Sequence, residues 1–343
     1  MSSPFASGLI RTMSDILVIG GTRFVGHYLA LHLVARGDRV TVLNRGVTPD
    51  GLGPRVERLR ADRGTDAFDA ALAGRRFDAV VDFAAYQPEE VERAVRVLRG
   101  RTAHYVFLST GQVYLVREHC PRPARESDFD GPLQPRPDDP ESLEEWTYGI
   151  LKRRCEDVLT RAQDFPSTRV RIPMVNGERD HFRRFEVYLW RLLDGGPLLV
   201  PDGGPEVCRH VYGLDVAHAL AAMLGDGRTL GRAFNLAQWE APHLADLLGL
   251  LGEAVGAPDR RLAVASEELV RAGLNVREVS PYSTRWMSYL DPSLARAELG
   301  FRSTPLQEVV QRVVGAFLTS PPATPPPGYQ RRDAERALAR GKG

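Results

Sequence analysis

Ile16-Leu17-Val18-Ile19-Gly20-Gly21-Thr22-Arg23-Phe24-Val25-Gly26 is the stretch on which the fold turns. Four consecutive apolar residues, three of them β-branched, read as a strand buried within a parallel sheet. The strand runs into a glycine turn, and Phe24 to Val34 has the pattern of an amphipathic helix. Strand, turn and helix N-terminus together form a phosphate cradle. Glycines let the backbone approach a pyrophosphate, and unpaired N–H groups with the helix dipole favour its charge. A full G-x-x-G-x-x-G spacing would need glycine at 23, where this chain has arginine. The position at the first strand-to-helix turn still favours a dinucleotide site.

Working outward, Arg39 to Leu43 reads as a second strand ending at Asn44-Arg45-Gly46, and Val56 to Ala61 as a third ending at Asp62. Thr65 to Ala73 reads as a helix, and Phe77 to Asp82 as a fourth strand leading into Ala84-Ala85. Pro88 to Leu98 has the start, period and length of a helix. His104 to Leu108 is a fifth strand ending in Ser109-Thr110, and Thr168 to Ile172 is another. Strands alternating with helices at this spacing imply βαβ units, hence an α/β doubly wound parallel sheet with ligands at the strands' C-terminal ends.

Residues 117–140, rich in Pro, Asp and Arg, read as a long surface loop, after which a helix resumes around Leu143 and runs past Tyr148 and Lys152 to about Arg161. From Gly177 the spacing loosens, as expected where a smaller region is woven in, and Arg232 to Leu236 reads as a strand returning to the sheet. The expected organisation is an extension over 1–12, a nucleotide-binding Rossmann domain over 13–176 and a substrate-binding region over 177–319. Elements of the latter return to the sheet at about 205–237, and a Pro-rich connector with a mobile charged tail spans 320–343.

The 343 residues are 43% hydrophobic and 26% charged with a formal net charge of +1, an ordinary globular balance. Near-neutral charge gives no reason to expect nucleic acid as a partner. Cys120, Cys155 and Cys208 lack metal-ligand spacing, and their sparse, odd number suits a reducing, cytoplasmic compartment. No apolar run approaches a membrane span.

Tyr148-Gly-Ile-Leu-Lys152 places a phenol and an ammonium four residues apart on one helix face. The ammonium is expected to stabilise the phenolate and pull the phenol's pKa down from its ordinary value of about 10. Such a tyrosine exchanges the proton of a carbinol or carbonyl while hydride moves to or from a nicotinamide. A hydroxyl at the end of an adjacent strand, Thr110 or Ser109, would hold the substrate oxygen.

In this pattern the chain resembles the extended short-chain dehydrogenase/reductases, the NAD(P)-dependent epimerase/dehydratase family. Gly20 to Gly26 is similar to its nucleotide loop, Ser109-Thr110-Gly111-Gln112-Val113-Tyr114 to its strand-end segment, and Tyr148 to Glu156 to its active-site helix. His210 to Ala217 and Asp291 to Phe301 resemble two later segments. The resemblance implies Thr110, Tyr148 and Lys152 as catalytic residues, with Lys152 also on the nicotinamide ribose, and a homodimer built on the helices around Glu89 and Glu145. The departures narrow the substrate. Family dehydratases on nucleotide sugars carry Asp-Glu where this chain has Gly111-Gln112. A diphosphate-gripping arginine is replaced by Cys208, with Arg209 beside it, and an asparagine after the sixth strand by Met174. The arginine-containing loop is similar to the branch that includes chloroplast stem-loop-binding proteins, some of them associated with RNA. A non-catalytic dinucleotide-sensing or RNA-binding member is therefore the alternative to an epimerase or ketoreductase.

An acidic residue ending the second strand would bond the ribose hydroxyls of NAD(H). Asn44 and Arg45 stand there, with Arg23 in the glycine loop, so NADP(H) is expected over NAD(H). The cofactor is expected against Gly20, Gly21, Thr22, Arg23, Phe24, Val25, Gly26, Asn44, Arg45, Asp62 (at the adenine amino group), Ala84, Ala85, Tyr148, Lys152 and Pro173. A small-molecule substrate, a secondary alcohol or ketone, is expected against Tyr86, Gln112, Met174, Arg179, His181 and Arg209, the charged run from Glu178 to Arg184 offering a further acid or base.

Overall fold

The computed structural model describes residues 13–342, so the extension expected over 1–12 lies outside the described residues. In chain order the first part comprises β1 (Asp15–Ile19), α1 (Phe24–Arg36), β2 (Arg39–Asn44), β3 (Val56–Arg60), α2 (Asp66–Leu72), β4 (Ala79–Asp82) and α3 (Pro88–Leu98). There follow β5 (Tyr105–Thr110), the single turn α4 (Gln112–Leu115), α5 (Pro140–Arg161) and β6 (Ser167–Ile172). Beyond them run β7 (Val175–Asn176), α6 (Arg184–Leu193), β8 (Leu198–Pro201), β9 (Val211–Tyr212), α7 (Gly213–Met223) and β10 (Ala233–Asn235). The chain closes with α8 (Leu244–Val255), β11 (Arg261–Val264), α9 (Ser266–Arg271), α10 (Val276–Val279), α11 (Ser293–Leu299), α12 (Leu306–Thr319) and α13 (Arg332–Arg340).

Seven parallel strands form the main sheet in the order β10-β6-β5-β4-β1-β2-β3. The unbroken apolar run of β1 is explained by its two buried faces. Ile16 and Val18 pack with Leu29 and Leu33 of α1 and Leu220 of α7. Leu17 and Ile19 pack on the other side with Val91 and Val95 of α3 and Leu159 of α5. The chain reverses direction across the sheet between β1 and β4, where Ile19 is in register with Leu43 and Asp82. Thr110 is in register with Ile172 further along the same edge. Strand ends therefore line one crevice at the switch point, the place where doubly wound sheets bind ligands.

The strand expected to return does so, β10 pairing with β6. The rest of the later region has a core of its own, in which Tyr188 and Leu189 of α6, Leu248 of α8, and Val310 and Phe317 of α12 pack together. Among the described residues no helix is long and apolar enough to cross a membrane.

Two expectations are corrected. Helix α5 starts at Pro140, not near Leu143: Pro140 occupies the first turn and the Asp139 carboxylate accepts from the Ser142 N–H at 2.8 Å. The tail is docked, not mobile. Glu335 of α13 meets Arg191 of α6 at 2.5 Å with both side chains inaccessible to solvent, and Arg332 binds Asp194 at 2.6 Å. Arg183 donates to the Thr324 and Pro325 carbonyls at 2.6 and 3.3 Å, fastening the Pro-rich connector as well. The charges of the expected mobile tail are partners of Arg191 on α6 and of Asp194 just after it.

Candidate active site

The nucleotide end of the crevice is shaped by backbone. Gly20 and Gly21 adopt φ of +74° and +61°, where side chains are strained. A Cβ on Gly20 would lie 2.8 Å from the Ala84 Cβ, and one on Gly26 would lie 2.2 Å from the Gly21 backbone. These glycines bring strand, helix and the end of β4 together. Arg23 sits at φ −118° and ψ 156°, ordinary extended backbone, so no glycine is needed at the middle position. The departure from the full spacing costs the loop nothing. Phe24 fills the space left by two distant glycines, its ring 2.8 Å from where a Cβ would stand on Gly177 or Gly213. Val25 is buried in the core beneath.

A cavity of about 430 Å³ opens beside this turn, lined by Gly20, Thr22, Arg23, Asn44, Arg45, Asp62, Ala84 and Tyr86 among others. Arg45 is exposed. Arg23 donates to Thr48 Oγ1 at 2.5 Å across the mouth. Asp62 Oδ1 accepts from the Gly64 N–H at 2.9 Å, closing the turn into α2.

The reaction end lies where β5 meets α5. Lys152 is 2% exposed and donates to the carbonyls of Ala85 (2.9 Å) and Leu108 (2.8 Å), at the ends of β4 and β5. Its Nζ also lies 4.4 Å from the Phe107 ring centre and 5.2 Å from that of Tyr86. Burial pushes its pKa down to about 8. An ammonium has three donors, so one remains. Tyr148 is half-buried with its ring 6.3 Å from that of Tyr86, and the Thr110 hydroxyl stands beside its phenol. Burial raises the phenol's pKa, and the neighbouring Thr110 hydroxyl opposes the rise. The expected lowering is therefore corrected for the protein alone: removal from water dominates and raises the phenol, and the ammonium is engaged by two backbone carbonyls.

The residues expected around the substrate do not all converge. Gln112 is buried beside this corner and donates from Nε2 to Glu145, while its Oε1 has no partner. Tyr86 is 53% exposed at the crevice. Met174 packs against the later core, and Pro173 is buried at the end of β6. Arg179 and His181 are exposed on a run set against α1 and the glycine loop: Tyr28 donates to Glu178 at 3.0 Å, Arg179 acts on His27, and Arg23 acts on His181. None of these contacts reaches Thr110 or Tyr148. Arg209 donates to the Leu290 carbonyl at 3.1 Å and stacks on Tyr289 at 4.6 Å, so it braces the C-terminal segment. His210 bonds Asn176 at 2.8 Å in the buried core, a structural histidine.

Two residues escaped the sequence reading. Glu145, one turn before Tyr148 on α5, meets Gln112, pairs with Arg277 at 3.1 Å and adds negative charge beside the phenol. Arg60 ends β3 in register with Asn44, to whose Oδ1 it donates. Spacing of three on a helix could have found the first, and strand pairing the second.

A glycine cradle at the switch point, beside a tyrosine–lysine helix, defines the dinucleotide-binding class of doubly wound proteins. The sequence profile of the NAD dependent epimerase/dehydratase family matches residues 16–237, and the chain belongs to that family. It is similar to the chloroplast stem-loop binding protein of 41 kDa b of Arabidopsis thaliana, 26% identical over 261 residues that make up 71% of this chain. The chain covers 64% of that relative's length, less than two thirds. In fold it is similar to the UDP-glucose 4-epimerase of Thermotoga maritima solved with UDP-glucose, at a TM-score of 0.70 and 20% identity, covering 89% of this chain and 98% of that one. The dTDP-glucose 4,6-dehydratase of Streptomyces venezuelae, solved with NAD, gives a TM-score of 0.68 and 21% identity, covering 89% of this chain and 97% of that one.

Proposed function

We propose that the protein is an NADP(H)-dependent epimerase or ketoreductase acting on a secondary alcohol or ketone of a sugar-like or natural-product substrate. The observation that carries this reading is Thr110 beside Tyr148, with Lys152 one helical turn on and anchored to the Ala85 and Leu108 carbonyls at the strand edge that also carries the glycine cradle. The cleft fits a dinucleotide because Gly20 and Gly26 leave room for backbone alone. Residues 13–176 would hold the cofactor and 177–319 would close over the substrate.

When bound, a nicotinamide supplies or accepts hydride at its C4. The chain's residues handle the proton and the geometry. Tyr148 gives a proton to the carbonyl oxygen as hydride reaches the carbon, or takes it from the hydroxyl in the reverse direction. Thr110 holds that oxygen beside the phenol. Lys152, anchored by Ala85 and Leu108, keeps its third donor for the cofactor ribose and places its charge next to the developing phenolate. Gln112 cannot exchange a proton at neutral pH, which argues against 4,6-dehydration, the activity named for the Streptomyces neighbour. The preference for NADP(H) rests on Arg23 and Arg45 at the cavity and on the lack of an acidic residue ending β2.

A homodimer and cytoplasmic placement belong to the same reading. Helices α3 and α5 lie side by side with Glu92, Arg96, Arg154 and Arg161 exposed, charges of both signs for a two-fold pairing. Cys120, Cys155 and Cys208 are free thiols.

The test follows NADPH and NADH binding, then turnover on a panel of ketones and sugars. NADPH binds more tightly and is consumed by a ketoreductase, or left unconsumed while an epimer accumulates. The name of the Arabidopsis relative favours one second reading, a stem-loop RNA-binding protein. Salt-dependent RNA binding with no conversion of any substrate would support it.

A further inference from the structure

We propose that Arg60, at the end of β3, is a specificity-determining residue that turns the nucleotide end toward a 2′-phosphorylated adenosine. The inference rests on the NADP(H) reading above and deepens it. In a site for the unphosphorylated nucleotide, an acceptor at the end of β2 takes the ribose hydroxyl proton. Here that place belongs to Asn44. A carbonyl oxygen has two lone pairs, and Asn44 Oδ1 accepts from both the Gly46 N–H, at 2.7 Å, and Arg60 Nη1. No acceptor capacity is left for a ribose hydroxyl. The Asn44 amide nitrogen is buried without a partner, so this residue adds no reachable donor either.

Arg60 also shapes the turn that follows. Gly46 adopts φ of +74°, and a Cβ on it would stand 2.9 Å from Arg60 Cδ and Nε. The turn that carries the exposed Arg45 is thus held at both ends, Asn44 and Gly46, by the Arg60 side chain. Two residues beyond the turn, Thr48 accepts from Arg23 of the glycine loop. The nearest carboxylate, Asp50, is bound by Arg58 at 2.7 Å and lies 3.9 Å from Arg60 Nη2, so one negative charge faces two guanidiniums. Asp62, further along the cavity, accepts from the Gly64 N–H through Oδ1 and keeps its second oxygen for the adenine end. With its side chain 44% exposed, Arg60 keeps donors open to solvent directly behind Asn44 and Gly46, which line the cavity. The acceptor at the end of β2 is spent, while Arg23, Arg45 and Arg60 supply donors around it. That is the pattern a phosphate dianion satisfies and a hydroxyl does not.

Isothermal titration of the full chain with 2′,5′-ADP and with 5′-ADP separates the two claims. Wild type is expected to bind 2′,5′-ADP at least ~10-fold more tightly, which is the NADP(H) reading. Arg60→Ala is expected to cut that ratio by about 10-fold while leaving 5′-ADP affinity within about twofold, which is the present inference. Arg60→Gln, which keeps a donor for Asn44 but not the charge, is expected to lower the ratio as well, and Arg60→Lys to restore part of it. Equal affinities in wild type would overturn the NADP(H) reading and this inference with it. A wild-type preference that survives in Arg60→Ala and Arg60→Gln would overturn this inference alone. Parallel loss of both ligands in every variant also counts against it, because a specificity residue must change the ratio.

Discussion

The two ends of the crevice are built on opposite electrostatic plans. At the nucleotide end the charges stand on exposed turns: Arg23 and Arg45 are open to solvent, and the surface beneath them is glycine backbone. At the reaction end the charge is enclosed, with Lys152 2% exposed and fixed by two carbonyls, and a half-buried Tyr148 beside Thr110. Exposed charges are screened and weakly coupled to folding. Buried ones are coupled strongly, because the fold supplies their solvation. The first plan suits discrimination between ligands, the second suits proton transfer in a low dielectric.

That contrast is open to attack by substitution. The largest effect belongs to Tyr148→Phe, expected to lower turnover by about 10²–10⁴-fold. Dinucleotide affinity should stay within a few-fold, as titration of the variant would show. Gly26→Ala attacks the backbone of the other end. Its Cβ would stand 2.2 Å from Gly21, so a loss of about 3 kcal/mol in denaturant midpoints is expected, together with loss of dinucleotide binding.

Lys152→Met tests the cost of enclosed charge. Burial holds the folded pKa at about 8, below the ordinary 10.5. Between those values the unfolded chain binds a proton that the folded one does not. Wild type therefore gains stability from this group as pH rises through that window, and loses it as pH falls toward 8. Comparing the two proteins by thermal unfolding at pH 7.5 and 9.5, the difference should move in favour of wild type by at most about 2 kcal/mol. A constant difference would mean that the ammonium is not desolvated. Arg23→Ala is expected to have the smallest effect, no change in melting temperature and a few-fold weaker NADPH binding that fades as salt is raised.

The same contrast explains what could be read from the chain. Signals carried by neighbours in sequence were legible: Pro88 with Glu90 capping Gln87 marks α3 to the residue, and the four-residue step from Tyr148 to Lys152 needs only a helix. The buried faces of β1 were legible because a doubly covered strand has no polar side. Pairings between distant elements were not. Arg60 meets Asn44 only through strand register, Glu145 meets Gln112 across 33 positions, and Arg191 meets Glu335 across 144. A charged residue looks the same in sequence whether water or a buried partner awaits it. For that reason the tail read as mobile, and Arg179 and His181 read as active-site candidates.

Transfer of hydride at the meeting point of the two ends is the central claim. NADPH and NADH deuterated at the transferable C4 position would each be mixed with the protein and a panel of secondary ketones, and the products examined by mass spectrometry. Deuterium on the carbinol carbon, appearing faster from NADPH than from NADH, is the predicted result. Tight binding of both dinucleotides with no deuterium in any product, and no epimer formed from any secondary alcohol offered with NADP, would contradict the account.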